Sequence, residues 1–324
     1  VTQTVVTGSG GELARRLRED GVRAREVAWR AGLDPRALVG IFAELRGGPA
    51  LLHAHDAHAL TLAGIASWCS GSPLVVTRRV DFHLRRRGFW TRADRVIAIS
   101  EAVAGVLRAD GIDPSRIAVV HSGIDLSAAE RAVPLGVRAR LGLPAHALVA
   151  VSVGALVPHK DHATLLRAAE LLEIRCPSLH WIIAGNGPLR PQLERLLDEL
   201  RLRSRVHLLG QVADPLPLVA DADLFVMSSK EEGLGTSVLD AMARGIPVAS
   251  TAAGGLPEML GGGAGLLVPP GRPAALADAV ARLAGDPELR RELATRGRIA
   301  VRRFSAERMA GEVRTVYRSC SPFT

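Results

Sequence analysis

The chain is poor in cysteine, lysine and long apolar runs, and each shortage removes a class of protein. Cys69, Cys176 and Cys320 are the only cysteines in 324 residues, and they are scattered without metal-ligand spacing. That excludes a disulfide framework and fits a reducing compartment. No run of eighteen apolar residues exists, so no segment reads as a membrane-spanning helix. No secretory signal opens the sequence, and a cytoplasmic location is the expectation. Lysine occurs only at Lys160 and Lys230, although Lys and Arg together number 41 against 33 Asp and Glu, a net charge of +8. A basic surface favours anionic partners. Nucleic acid is not the expected one, because no recognition helix, zinc pattern or aromatic strand motif accompanies the charge.

What is present is enough apolar material, 48%, for two ordinary domains. Short apolar runs alternate with helical patterns along the whole chain, which reads as α/β with parallel sheets. The most informative stretch is Ser228 to Ala249. The run Leu224-Phe225-Val226-Met227 before it has the character of a buried strand. A polar loop follows, then Gly233 and Gly235, then a helix that Thr236 or Ser237 can cap and that Gly245 ends. Ligands bind such sheets outside the carboxyl ends of strands. The helix start at Gly235-Thr236-Ser237 offers free N–H groups and a positive dipole end to a phosphate. Glu232 in the loop and Asp240 about one turn into the helix are acceptors suited to sugar hydroxyls. The combination fits a sugar attached to phosphate; a capped helix with solvated acids is the alternative.

Glu232, seven residues, then Asp240, followed by Ala-Met-Ala-x-Gly-x-Pro-Val, resembles the donor-site motif of glycosyltransferase family 4. The resemblance implies the GT-B architecture, two facing Rossmann-like domains with a cleft between them. It also implies retaining transfer from a nucleotide-sugar to a hydroxyl acceptor such as a lipid-linked or cell-envelope glycan, without metal or cofactor. By resemblance Glu232 contacts the transferred sugar and Asp240 the ribose. Asp240 is one methylene shorter than the family's usual glutamate.

Other segments fall into the same pattern. Gly154-Ala155 stands where the family usually has glycine-arginine, with Lys160 at the position of its diphosphate lysine. One of two expected cations is therefore replaced by Ala155. Gly185-Asn186-Gly187-Pro188 resembles the glycine-x-glycine-proline turn beside the nucleotide, and Val212 after Gly210 falls where the base is met by backbone. Gly233, Leu234, Gly235 and Thr236 complete the expected donor set.

In the first half, His55-Asp56 at a strand end resembles an acceptor-side loop facing the cleft. His53, His55 and His58 do not read as a metal site, because no fourth ligand is evident. Asp81 is taken as the polar group nearest the reaction and Arg79 as the stand-in for a family histidine; with Lys160 and Glu232, Asp81 forms the expected catalytic set. Seven arginines lie between Arg78 and Arg95, interleaved with Phe82, Phe89 and Trp90. A solvated loop, an anionic acceptor site, and a membrane-surface patch of Arg85-Arg86-Arg87 with Phe89-Trp90 on the inner membrane face are all open readings.

The expected division is an acceptor domain over 1–135, a donor domain over 146–303, and a segment 304–324 returning to the first domain. The segment from Gln3 reads as the second strand of its domain, with the first strand and its glycine loop lacking. A sugar-nucleotide epimerase of the same fold and a non-catalytic nucleotide-sugar-binding relic are the rival functions.

Overall fold

The computed structural model describes residues 3–28 and 34–320. The last four residues of the 304–324 segment lie outside the described residues.

Two larger parallel sheets organise the chain. The first has the order β3-β4-β5-β6, from β3 (Leu52–Ala54), β4 (Leu74–Arg78), β5 (Arg95–Ala98) and β6 (Ile117–Val119). Between these strands run α3 (Ala57–Ser70) and α4 (Glu101–Ala109). Ahead of them, β1 (Val5–Gly8) and β2 (Ala24–Val27) pair in a separate two-stranded parallel sheet. It carries α1 (Glu12–Glu19), and α2 (Pro35–Leu45) follows it. Among the described residues β1, the strand of the segment from Gln3, pairs only with β2. Asp34 caps α2 by accepting from Arg36 N at 2.9 Å, with Pro35 in the first turn. Val6, Leu52, Ile41 and Leu62 share one small core that ties this unit to the larger sheet.

The second sheet joins six strands in the order β12-β11-β10-β7-β8-β9. These are β7 (Leu148–Val153), β8 (Leu179–Ala184), β9 (Val206–Gly210), β10 (Leu224–Met227), β11 (Val248–Thr251) and β12 (Leu266–Val268). Every residue of β8, β10 and β11 is buried, as a parallel sheet covered on both faces requires. Around it lie α7 (His162–Leu171), α8 (Arg190–Glu199), α9 (Leu216–Val219), α10 (Thr236–Arg244), α11 (Leu256–Leu260), α12 (Pro273–Gly285) and α13 (Pro287–Val301). The strand order reverses between β7 and β10, and a doubly wound sheet opens its ligand crevice at that point.

The stretch 126–145 reads as a linker, yet it is structured. It forms α5 (Leu126–Arg131) and α6 (Val137–Arg140). Val137 N donates to Asp221 at 3.0 Å and Arg138 pairs with Asp223, which docks α6 on the second sheet's domain. The last helix, α14 (Ala306–Cys320), places Met309, Val313, Val316 and Tyr317 against Val75 and Ile97 of the first sheet.

Among the described residues no helix is long and apolar enough to cross a membrane. The aromatic half of the membrane-patch reading is not met. Trp90 is 6% exposed and belongs to the main core, and Phe89 packs its ring over Gly64. The tight turn Gly88–Thr91 directs both rings inward, while Arg85, Arg86 and Arg87 stay exposed.

Candidate active site

The switch point sets the site. The loop after β7 carries Gly154, Ala155 and Lys160; the loop after β10 carries Ser228 to Gly235 and runs into α10. Together they line a cavity of about 260 Å³ that includes Gly154, Lys160, Glu232, Gly235, Thr236 and Asp240. A larger hollow of about 450 Å³ is a surface groove along α2, beside Val39, Phe42, Leu45 and Arg46, away from these loops.

Neither Thr236 nor Ser237 caps α10, contrary to expectation. Gly235 is the N-cap, and no side chain accepts there; the Ser237 hydroxyl donates instead to Val153 O at 3.2 Å. The first-turn N–H groups at Thr236 and Ser237 are left without a side-chain acceptor where both residues line the cavity. That is an anion-accepting arrangement.

Lys160 and Glu232 form an ion pair across the cavity, with side chains only 16% and 11% exposed. Glu232 Oε2 also accepts from the Ser229 hydroxyl at 3.1 Å. Asp81 comes in from the first domain: its Oδ2 accepts the Glu232 backbone N–H at 2.8 Å. The three residues named from sequence as catalytic, Lys160, Glu232 and Asp81, therefore sit in one cluster. Asp81, however, spends one carboxylate oxygen on the donor loop itself.

Asp240 lines the same cavity, and among the described residues its carboxylate has no hydrogen-bond partner. Burial, and then the negative charge of Asp214, push its carboxyl up to about 6.

Two glycines have steric explanations. A Cβ on Gly233 would stand 2.2 Å from Arg79 O, so that loop closes against the first domain only as glycine. A Cβ on Gly185, whose φ is 147°, would stand 1.9 Å from Gly154 O. The turn Gly185-Asn186-Gly187 is thus pressed on the Gly154 loop: Leu156 N donates to Asn186 O at 3.0 Å, and the Asn186 side chain accepts from Gly187 N at 2.9 Å. Gly210 is tied to the same turn, accepting from Gly185 N at 2.8 Å. These residues shape the loops and do not line the cavity. Leu234 buries its side chain in the core and so offers only backbone to a ligand, while Val212 is half-buried against the same core.

On the opposite side, the rings of His53 and His55 are 4.0 Å apart between centroids. His53 is fixed at both nitrogens, by Tyr317 Oη at 2.6 Å and Thr77 Oγ1 at 2.7 Å. Burial, reinforced by His55 and Arg79, pushes His53 down to about 3. Asp56 caps α3, accepting from Ala59 N at 2.7 Å, which is a structural role.

Residues 137–300 match the family model described as "Glycosyl transferases group 1", half of the chain, and residues 2–128 match "Glycosyltransferase Family 4". The chain belongs to the glycosyl transferases group 1. "Lipopolysaccharide core biosynthesis glycosyltransferase LpsE" of Rhizobium meliloti is 38% identical over 173 residues, 52% of this chain and 49% of that one. "D-inositol 3-phosphate glycosyltransferase" of Salinispora tropica is 33% identical over 299 residues, 86% of this chain and 61% of that one. This chain spans between about a third and two thirds of the length of the curated relatives it matches.

The fold is GT-B. A glycosyltransferase from Rickettsia africae superposes with a TM-score of 0.87 at 18% identity, covering 100% of this chain and 91% of the other. Anabaena HepE, solved in complex with UDP and glucose, superposes with a TM-score of 0.86 at 24% identity, covering 98% and 91%.

Within this family frame, several site residues are not visible in the motif. Ser229 fixes Glu232, Asp214 acts on Asp240 by charge, Glu258 joins the two domains, and Tyr317 ties the last helix to His53 of the first. Ser229 lies three residues from Glu232 in the same loop; the others act through partners distant in sequence, which leave no local pattern.

Proposed function

We propose that this chain binds a nucleotide-sugar at the β7–β10 switch point. It transfers the glycosyl group, with retention, to a hydroxyl of an acceptor held on the first domain. The observation that carries this reading is one cavity lined by a cation, the open start of a helix and two carboxylates, beside Asp81 of the opposite domain. The diphosphate lies at the start of α10, where N–H groups and the helix dipole favour negative charge. Lys160 leaves Glu232 for the leaving diphosphate and stabilises the charge that grows there as the glycosidic bond breaks. Glu232, released, accepts from the sugar's hydroxyls, and Asp81 holds its backbone in place. Asp240 accepts from the ribose, and the backbone at Val212 meets the base. Retention is what the family resemblance implies. No metal or cofactor has a part in the reaction.

The relatives named for lipopolysaccharide core biosynthesis support a cell-envelope or lipid-linked glycan as acceptor. Exposed Arg85, Arg86 and Arg87 would draw the first domain to an anionic lipid surface, which co-sedimentation with anionic against neutral vesicles tests.

The test of the donor reading is a thermal-shift screen of nucleoside diphosphates and their sugars, because a ligand stabilises the fold in proportion to its affinity. UDP and a UDP-sugar are the first to try, since HepE was solved with both. Transfer that requires an added acceptor is the expected result. Conversion of the sugar without acceptor would indicate an epimerase, binding without turnover a relic, and no binding at all would sink the reading.

A further inference from the structure

Asp161 and Arg201 are the two non-glycine residues with positive φ among the described residues. Asp161, at φ 45° and ψ 47°, stands directly between Lys160 and α7. A side chain is disfavoured in that left-handed conformation, although aspartate tolerates it better than most. The residue is also buried, so a carboxylate is held inside a strained turn. Such a conformation persists only where its surroundings enforce it.

The surroundings come largely from the loop after β10. Asp161 Oδ2 accepts from the Thr164 hydroxyl at 2.6 Å and pairs with Lys230 Nζ at 3.1 Å. The backbone N–H of Lys230 donates to His159 O at 2.7 Å, and the Ser228 hydroxyl donates to Lys160 O at 3.0 Å. Lys160 N closes the turn on Val157 O at 3.1 Å. Lys160 is thereby held at its own N–H and carbonyl, and Lys230 grips the residue on either side of it. The same loop carries Glu232, the ion-pair partner of Lys160, two residues further on. Lys230 itself is not among the residues that line the donor cavity. A pair between two exposed side chains contributes little, but here one partner is buried and would be stranded without the other.

We propose that Lys230 is a positioning residue, whose pair with Asp161 holds the left-handed turn that aims Lys160 into the donor cavity. This rests on the donor reading above, in which Lys160 meets the diphosphate. A lysine ammonium sits on a flexible four-carbon stem, so its reach is set by where the backbone starts it. If the pair is broken, Asp161 can relax toward negative φ. The peptide between Lys160 and Asp161 then turns, and the Lys160 carbonyl leaves the Ser228 hydroxyl.

UDP and uridine, titrated by calorimetry into the full chain and its variants, test this. Uridine lacks the diphosphate, so it reports the ribose and base contacts alone. Lys160→Ala removes the diphosphate contact and should weaken UDP while leaving uridine as in the parent. Lys230→Ala should follow the same pattern, weakening UDP by about fivefold, an ordinary coupling between residues of one network. Lys230→Gln, which still donates to Asp161, should lie between Lys230→Ala and the parent. Glycine adopts the left-handed turn without strain. In the Asp161→Gly background, Lys230→Ala should therefore have no further effect on UDP. An equal loss from Lys230→Ala in both backgrounds would overturn the proposal, because Lys230 would then act on UDP directly. Equal weakening of UDP and uridine would overturn it too, as would unchanged UDP affinity accompanied only by a lower melting temperature. UDP affinity unchanged in Lys160→Ala would overturn the donor reading of that lysine and this role with it, a result distinct from any that the Lys230 variants give.

Discussion

Asp81 of the first domain accepts the backbone N–H of Glu232 in the second at 2.8 Å, so one domain sets the position of the other's cavity loop. A carboxylate is not essential for that task, because an asparagine oxygen accepts equally well. Asp81→Asn should therefore keep most of the activity. Asp81→Ala leaves the N–H without its acceptor and should lower kcat/KM by about tenfold to a hundredfold, from a contact worth roughly 1.5–3 kcal/mol. Steady-state kinetics of both variants decide it. If Asp81→Asn falls as far as Asp81→Ala, the charge itself takes part in the reaction.

Lys160 pairs with Glu232 and, under the proposed function, also serves the leaving diphosphate, and a single substitution confounds the two. Its removal leaves Glu232 largely buried beside no cation, which costs stability on the order of 3–5 kcal/mol. Under the proposed function it also removes a donor to the leaving diphosphate, and such a loss lowers kcat by roughly 10²–10³. The double variant Lys160→Met with Glu232→Gln removes the stranded charge. It should recover much of the melting temperature lost by Lys160→Met alone, while kcat stays low. A recovery of kcat along with stability would mean that Lys160 serves the fold and not the chemistry.

The second domain was legible in sequence because its strands and loops carry local signals. The Leu224–Met227 run, the glycine hinge and the Gly245 stop each translate directly into β10, the loop and α10. Other features escaped because their cause is tertiary. Thr236 and Ser237 are good capping residues by type, yet the backbone positions Gly235 as the cap. Phe89 and Trp90 among arginines suggested a wet aromatic patch, yet a tight turn folds them onto Gly64 and the core. The clustering of Lys160, Glu232 and Asp81 joins residues 72 and 151 positions apart, a proximity that spacing alone does not disclose.

Asp240 gives the site a pH dependence. Its folded-state value, raised to about 6 from an ordinary 3.8, means that the folded protein holds a proton which the unfolded chain has released over that interval. Stability therefore falls as pH rises through this window, and the charged carboxylate carries a penalty of up to about 3 kcal/mol above it. Asp240→Asn should raise the melting temperature near neutral pH and leave it little changed at a pH below the window. Binding moves the other way. On the proposed ribose contact, UDP affinity should strengthen as pH rises through about 6, where Asp240 becomes a full acceptor, and the Asn variant should show a smaller rise, the part left to ionisation of the UDP phosphate itself. Parallel melts and titrations of the two proteins across that range check both slopes. Identical slopes would show that another group controls the pH response.

Glu258 makes a second contact between the two domains. It lies on α11 of the donor domain, and its two oxygens accept the backbone N–H groups of Glu101 and Ala102, each at 2.9 Å. Those are first-turn donors of α4, whose own cap, Ser100, satisfies only Val103 N at 3.1 Å. The helix start is thus completed by one residue from each domain, and the acid meets the positive end of the helix dipole. His121 adds a contact to the same carboxylate at 2.9 Å. Burial works against the charge of Glu258, but His121 and the two N–H groups outweigh it and hold the carboxyl below the usual glutamate range. The stability this provides is present at pH above the ordinary glutamate value and is lost as pH falls through the lowered folded-state value. Glu258→Ala strands two N–H groups at the interface and should cost roughly 1–3 kcal/mol near neutral pH. Its melting temperature should converge with that of the parent chain in acid. Because the contact bridges the domains, the same variant should widen the solution radius of gyration and lower kcat/KM, while UDP affinity, set within the donor domain, stays close to the parent's. An unchanged scattering profile combined with a normal kcat/KM would mean that Glu258 caps a helix and does not hold the cleft.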